Sequence, residues 1–179
     1  MNEFALDLDK LREQARRHLD QGPVTEAYGA DLPRVLSVLN EVLATELVCV
    51  LRYKRHYFMA QGVHGPTVAA EFKEHADDEQ RHADLVAERI TQLGGEPDLD
   101  PAVLAERSHT EYAPGKTLVD MLNEDLVAER IAIASYAEIA RWLGDGDATT
   151  RRLMEQLLAE EEEHADDLRS LLVRLDQTA

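Results

Sequence analysis

Apolar residues recur every three or four positions through five segments of this chain, the spacing of helices that each bury one face. The first segment, residues 3–20, carries Phe4, Leu8, Leu11 and Ala15 and ends before Gly22-Pro23. An irregular linker leads to Ala30, and Asp31 can cap a second helix that runs to Gln61. Gly62 to Pro66 reads as a turn, and a third helix extends from Thr67 to Leu93, stopped by Gly94-Gly95. The fourth spans Thr117 to Leu143, Asp145-Gly146-Asp147 turns the chain, and the fifth continues to Leu175. No segment shows the alternation of a strand.

Connection lengths give the topology. Short turns after the second and fourth helices make two antiparallel hairpins. Residues 96–116, with Pro97, Pro101, Pro114 and Gly115, must then carry the chain the length of the bundle, roughly 40 Å at about 1.5 Å per residue. The expected fold class is all-α: a ferritin-like four-helix bundle, two helical hairpins joined by a long crossover, with an additional N-terminal helix. Residues 1–30 form the N-terminal helix and linker, and residues 31–179 the bundle.

The apolar stripes are interrupted by acids and imidazoles. The fifth helix reads Leu153, Leu157, Glu161, His164, Leu168; the third reads Phe72, His75, Glu79, His82, Val86. The second and fourth place Glu46 and Glu129 on their stripes, each followed seven residues later by a tyrosine, Tyr53 and Tyr136. The hairpins repeat one another: Glu-x-x-His-Ala-Asp occurs at residues 79–84 and 161–166, at 33 and 32 residues beyond Glu46 and Glu129. Four glutamates and two histidines therefore face inward at similar heights, with no Lys or Arg on the stripes at that level. A buried carboxylate without a partner is costly or is forced to hold a proton. Two divalent cations would cancel four such charges, with the imidazoles completing the set. One Glu from each of two helices and Glu-x-x-His from each of the others is the ligand set of di-iron and di-manganese bundles. Such donors suit iron or manganese, and zinc can also bind.

Charge and composition narrow the picture. With 36 acidic and 19 basic residues the formal charge is −17, which attracts cations and opposes direct binding to nucleic acid or anionic membranes. No apolar run reaches membrane-spanning length, and the N-terminal residues lack a signal-peptide pattern. Cys49 is the only cysteine, so no intrachain disulfide forms and a cytoplasmic setting is expected.

At these residues the chain resembles the bacterioferritin branch of the ferritin-like superfamily. The likeness covers about residues 32–175, through Leu39-Asn40-Glu41, Glu46, Tyr53-Lys54-Arg55-His56, Glu79-x-x-His82-Ala83-Asp84, Glu88-Arg89-Ile90, Leu93-Gly94-Gly95-Glu96-Pro97, Asp125-Leu126, Glu129 and Glu161-x-x-His164. It implies a ferroxidase centre within one subunit that oxidises ferrous iron with dioxygen or hydrogen peroxide, and a homo-oligomeric shell that stores the ferric product. Glu46, Glu79, His82, Glu129, Glu161 and His164 would hold two iron ions per subunit, with Glu79 and Glu161 bridging and Tyr53 as the tyrosine beside the centre. Bacterioferritins bind haem through a methionine directly after the first bridging Glu; Gln80 stands there, so haem is not expected. Only 15 residues follow His164 and about 30 precede the second helix, which favours a 12-subunit shell of mini-ferritin size over 24 subunits.

Other residues carry two readings. Tyr53 and Tyr136 either pack as bundle tyrosines or bond a ligating carboxylate and, at Tyr53, supply an electron. Cys49 is a small buried hydrophobe or a thiol near the metals. Asp125 either orients a ligand histidine or is exposed. His75, Glu74 and Asp78 either lie on a solvated acidic face or pass iron between the centre and a cavity. His18, His56, His64 and His109 have no repeat partner, and Trp142 and Met154 are expected to pack. The alternative to storage is a non-storing di-metal oxidase or peroxidase, or a manganese catalase, resembling rubrerythrin.

Overall fold

The computed structural model describes residues 5–62 and 64–177, and among these the only regular elements are helices. Four are long: α2 (Leu32–Met59), α3 (Gly65–Gln92), α5 (Leu118–Leu143) and α6 (Ala148–Asp176). Two are short: α1 (Leu8–Gln14) and α4 (Leu104–Arg107). Local chemistry sets the starts of the long helices. Asp31 accepts from the Arg34 N–H, with Pro33 in the first turn of α2. Thr117 and Asp120 form a reciprocal capping box on α5, and Asp147 caps α6 through the Thr150 N–H.

Helix α2 packs along α3, and α5 along α6; α2 also meets α5, and α3 meets α6. The four helices thus form a ring in the order α2, α3, α6, α5, two hairpins set side by side, as the connection lengths require. The crossover lies along α2 and is held there by side chains. Asn40 accepts the Asp98 N–H at 2.7 Å, and Thr45 accepts the His109 N–H at 2.9 Å. One turn of helix, α4, occurs where an irregular connection was expected. Gly115 sits at φ +59° with a Cβ position 2.8 Å from the Met121 backbone, so only glycine turns this corner into α5.

The N-terminal region departs from its pattern. The helix expected over residues 3–20 is α1, seven residues long, followed by a 3-10 turn at Leu19–Gln21; Phe4 lies outside the described residues. No residue of α1 is buried, and Leu8 and Leu11 remain 53% and 44% exposed. The apolar spacing marks a face, but the described residues offer it no partner. The linker that follows is docked: the Tyr28 hydroxyl donates to Asp147 at 3.0 Å, and the Gly29 N–H to the Gly146 carbonyl at 3.1 Å.

Among the described residues the interior contains two apolar clusters. One is built around Leu39, Leu43, Val86, Ile90, Leu143, Met154 and Leu157, the other around Phe72, Val68, Leu122, Leu168 and Leu171. Between them lies a layer of buried charged groups. Met154 packs as expected, whereas Trp142 does not and is 48% exposed.

Candidate metal centre

The layer between the clusters contains Glu46, Glu79, His82, Glu129, Glu161 and His164, each at most 5% exposed. Their donor atoms fall into two overlapping quartets, each with all atoms within 4.8 Å of one another. Glu46, Glu79, His82 and Glu161 make one; Glu79, Glu129, Glu161 and His164 make the other. Glu79 and Glu161 are common to both, so these two carboxylates sit where each can reach two ions. Each quartet takes three residues from one hairpin and one from the other.

Both histidines turn Nδ1 inward. His82 Nδ1 lies 3.1 Å from Glu161, 3.4 Å from Glu79 and 3.6 Å from Glu46. His164 Nδ1 is 3.2 Å from Glu161 and 4.0 Å from Glu79. The outer nitrogens face a second pair of acids, each from the opposite hairpin. Glu160 bonds His82 Nε2 at 2.7 Å, and Asp78 lies 3.6 Å from His164 Nε2. An acid on the outer nitrogen fixes the tautomer that leaves Nδ1 free to ligate. Asp78 and Glu160 each directly precede a shared glutamate, and sequence reasoning missed this pairing. The signal was there in the repeat, hidden among the acids of two helix faces.

The tyrosines cross between hairpins. Tyr53 on α2 donates to Glu129 on α5, and Tyr136 on α5 donates to Glu46 on α2. Of their two readings, the bond to an inward carboxylate is the one the structure shows. His75 Nδ1 lies 3.1 Å from the Tyr53 hydroxyl, and its ring stacks on His164 with centroids 4.1 Å apart.

The layer is strained electrostatically. Both oxygens of Glu79, and Oε2 of Glu129, are buried without a hydrogen bond. Burial, then the charges of Glu161 and Glu46, push the Glu79 carboxyl well above its ordinary range. Burial likewise raises Glu129, with Glu79 and Glu161 adding to it. Burial would raise Glu161 too, but hydrogen bonds from His164 and His82 outweigh it and hold this group ionised. Burial opposes the charged form of His82, yet the carboxylates of Glu161, Glu46 and Glu79 around its Nδ1 keep it raised. Orphaned carboxyl oxygens beside inward-facing imidazoles fit a pair of hard divalent ions.

Two expectations are corrected. Asp125 touches no ligand histidine; fully buried, it takes Arg52 Nε at 2.7 Å and His56 Nδ1 at 2.7 Å. The apolar stripes carry no Lys or Arg at this level, but Arg52, off the stripe, is wholly buried beside the layer. His56 also bonds the Pro114 carbonyl at 3.0 Å and Arg52 the Glu111 carbonyl at 3.2 Å, so this trio anchors the crossover to α2 and α5. Cys49 is buried against Arg52 and Thr110, and burial raises its thiol. Gln80, at the position where haem was discounted, donates to Asp84 at 3.0 Å.

Comparison with known proteins agrees with this architecture. Residues 36–178 match the family described as Ferritin-like domain. A bacterioferritin of Brucella melitensis is 32% identical over 142 residues, 78% of this chain and 83% of that protein. The structure of a dodecameric thioferritin, the bacterioferritin-related protein of Bacteroides fragilis, superposes with a TM-score of 0.80 at 34% identity, covering 84% of this chain and 90% of that one. The Desulfovibrio desulfuricans bacterioferritin, solved with its diiron site in different catalytic states, gives a TM-score of 0.72 at 27% identity, covering 82% of each chain. With its two hairpins, its crossover and its matching length, the chain belongs to the ferritin-like family as a bacterioferritin-like member.

Proposed function

We propose that this chain is a ferroxidase of an iron-storing shell, binding two ferrous ions within one subunit through Glu46, Glu79, His82, Glu129, Glu161 and His164. The observation that carries the reading is the pair of quartets sharing Glu79 and Glu161. Iron is the substrate: two ferrous ions give up one electron each, reducing hydrogen peroxide and two protons to two waters, or supplying half of the four electrons that dioxygen takes.

The protein's part is to place and to neutralise. Glu79 and Glu161 hold both ions, while Glu46 with His82 and Glu129 with His164 complete the two sides. Tyr136 and Tyr53 orient the terminal glutamates, and Glu160 and Asp78 aim the imidazoles. On this reading Tyr53, which donates a hydrogen bond to Glu129, is the residue that supplies an electron. Gln80 offers no thioether, so haem has no ligand by the bacterioferritin route. The dodecameric likeness to the Bacteroides fragilis protein supports a shell of twelve copies.

Anaerobic ferrous titration should give two tight sites per chain, and Glu129→Ala should lose one and abolish rapid oxidation. Repeated ferrous additions under air, followed by sedimentation and iron analysis, should yield a closed particle retaining far more than two irons per chain. A dimer that oxidises iron and releases a precipitate would refute storage and leave a non-storing di-metal oxidase, peroxidase or manganese catalase.

A further inference from the structure

A groove of about 790 Å³ lies between α2 and α5, walled by Val38, Ile131, Ala134, Ile139 and Trp142. Two apolar residues of its wall, Val127 and Trp142, are 54% and 48% exposed. The path of the crossover explains why it is open. From His109 onward the crossover covers the seam between these helices: His109 meets Ser135 on α5 at 3.2 Å and Thr45 on α2 at 2.9 Å, and Arg52 and His56 hold the Glu111 and Pro114 carbonyls. Before His109 it is bonded to Asn40 instead, through Asp98 and Arg107. The seam beside residues 34–41 therefore has no cover among the described residues.

The N-terminal arm, residues 5–21, has the complementary need. Its helix α1 buries nothing, and Leu6, Leu8, Leu11 and Leu19 are each at least 44% exposed. A helix of seven residues is too short to persist in water by itself, because nucleation is costly, so it requires a surface. Leu8, Leu11 and Ala15 fall on one face, at spacings of three and four. Gln14 and Arg17 tie the arm to its own linker through Glu26, at 2.7 and 3.5 Å, and residues 20–24 border residues 91–94 at the end of α3. Helix α3 is diagonal to α5 in the ring, so the arm leaves the bundle on the α3 side and not at its own groove.

Charge selects the partner. Each chain carries −17, so copies repel one another, yet residues 10–18 hold Lys10, Arg12, Arg16 and Arg17 against the single acid Glu13. Arg12 follows Leu8 by four residues and borders the apolar face. Such a stretch is attracted to the acidic body of another copy. The groove's own charges balance, Glu41 and Glu138 against Arg34 and Arg130, so its rim does not repel the arm that the body attracts.

We infer that the arm of one copy lies in the α2/α5 groove of a second copy, with Leu8 and Leu11 against Ile131, Ala134 and Trp142. Arms exchanged in this way join copies whether or not the charged layer holds metal.

Trp142 is the only tryptophan of the chain, so its fluorescence reads the groove directly. In the assembled, metal-free protein its emission should lie to the blue and resist quenching by acrylamide. Leu8→Ser/Leu11→Ser alters two exposed side chains, so the bundle should fold as before while Trp142 emission moves to the red and is quenched freely. A second variant shows whose arm is bound. Ala15→Cys/Ala134→Cys, at two exposed alanines with Cys49 buried, should run after oxidation as covalent multimers on a non-reducing denaturing gel. Chains that stay unlinked, or that close on themselves, overturn the inference. A wild-type Trp142 quenched as readily as that of Leu8→Ser/Leu11→Ser also overturns it; if that wild-type protein still sediments as a closed shell, storage stands and arm exchange alone falls.

Discussion

Glu79→Leu should make the metal-free protein more stable and the metal-loaded protein less stable than wild type. Glu79 is buried with both carboxyl oxygens unbonded, and His82 Nδ1 gives its shorter contact to Glu161. A buried polar group left unsatisfied costs about 1–3 kcal/mol, and an apolar side chain of similar shape removes that cost. A gain of about 2 kcal/mol corresponds to a rise of roughly 4–8 °C in melting temperature for a chain of this size. Metal reverses the order. A ligand at a hundredfold excess over Kd stabilises by about 2.7 kcal/mol per site. Because Glu79 belongs to both quartets, the variant should forfeit both increments.

The pH dependence has a definite sign. The folded pKa of Glu79 lies above its unfolded value of about 4.3. Such a group favours the fold most below the unfolded pKa, and the benefit is lost as pH rises toward the folded one. The advantage of Glu79→Leu should thus be smallest near pH 4 and larger at neutrality. Circular-dichroism melts in EDTA and in excess cobalt(II), each at pH 4.5 and 7.5, read all four corners. Glu46→Leu is the control: it strips Tyr136 of its acceptor and should destabilise the metal-free protein. An unchanged or lower metal-free melting temperature for Glu79→Leu, or a cobalt increment equal to that of wild type, would refute the argument.

Metal loading should release protons, because Glu79, Glu129 and His82 hold theirs more tightly than usual in the metal-free site; calorimetric heats of cobalt binding should differ between buffers of unlike ionisation enthalpy, and equal heats would contradict this. Asp125→Ala should cost about 3–5 kcal/mol by leaving the Arg52 charge buried and unpaired, read as a lower urea midpoint with the same slope. Asp147 is held below its ordinary range because bonds from Thr150 and Tyr28 and the charge of Arg89 outweigh burial. Its contribution is present above the unfolded value of about 3.9 and lost as pH falls through the folded one, so Asp147→Asn should destabilise at pH 7 and much less at pH 3.

The four long helices were legible because their apolar period is regular and their stop signals are glycines. The inward acids and imidazoles were legible because a repeat places the same residues on both stripes. What the sequence hides is partnership across helices. Asp78 and Glu160 look like members of acidic surface runs until the bundle sets each against a histidine of the other hairpin. Arg52 lies off the apolar stripe, and nothing local announces that Asp125, 73 residues away, will receive it. The N-terminal segment fails in the opposite sense: Leu8 and Leu11 have helical spacing, but spacing does not supply a surface to bury them.

Neither hairpin contains a whole quartet by itself. Each quartet lacks one shared glutamate until the second hairpin brings it, and each tyrosine clamps a carboxylate of the opposite half. On the proposed reading, two cations would draw the hairpins together through the middle of the bundle, at a layer where Glu79 and Glu129 keep carboxyl oxygens without hydrogen bonds. The flanking apolar clusters carry the fold, which frees the layer to be poor for stability and good for cations. Duplication accounts for why the inward donor atoms fall into two quartets.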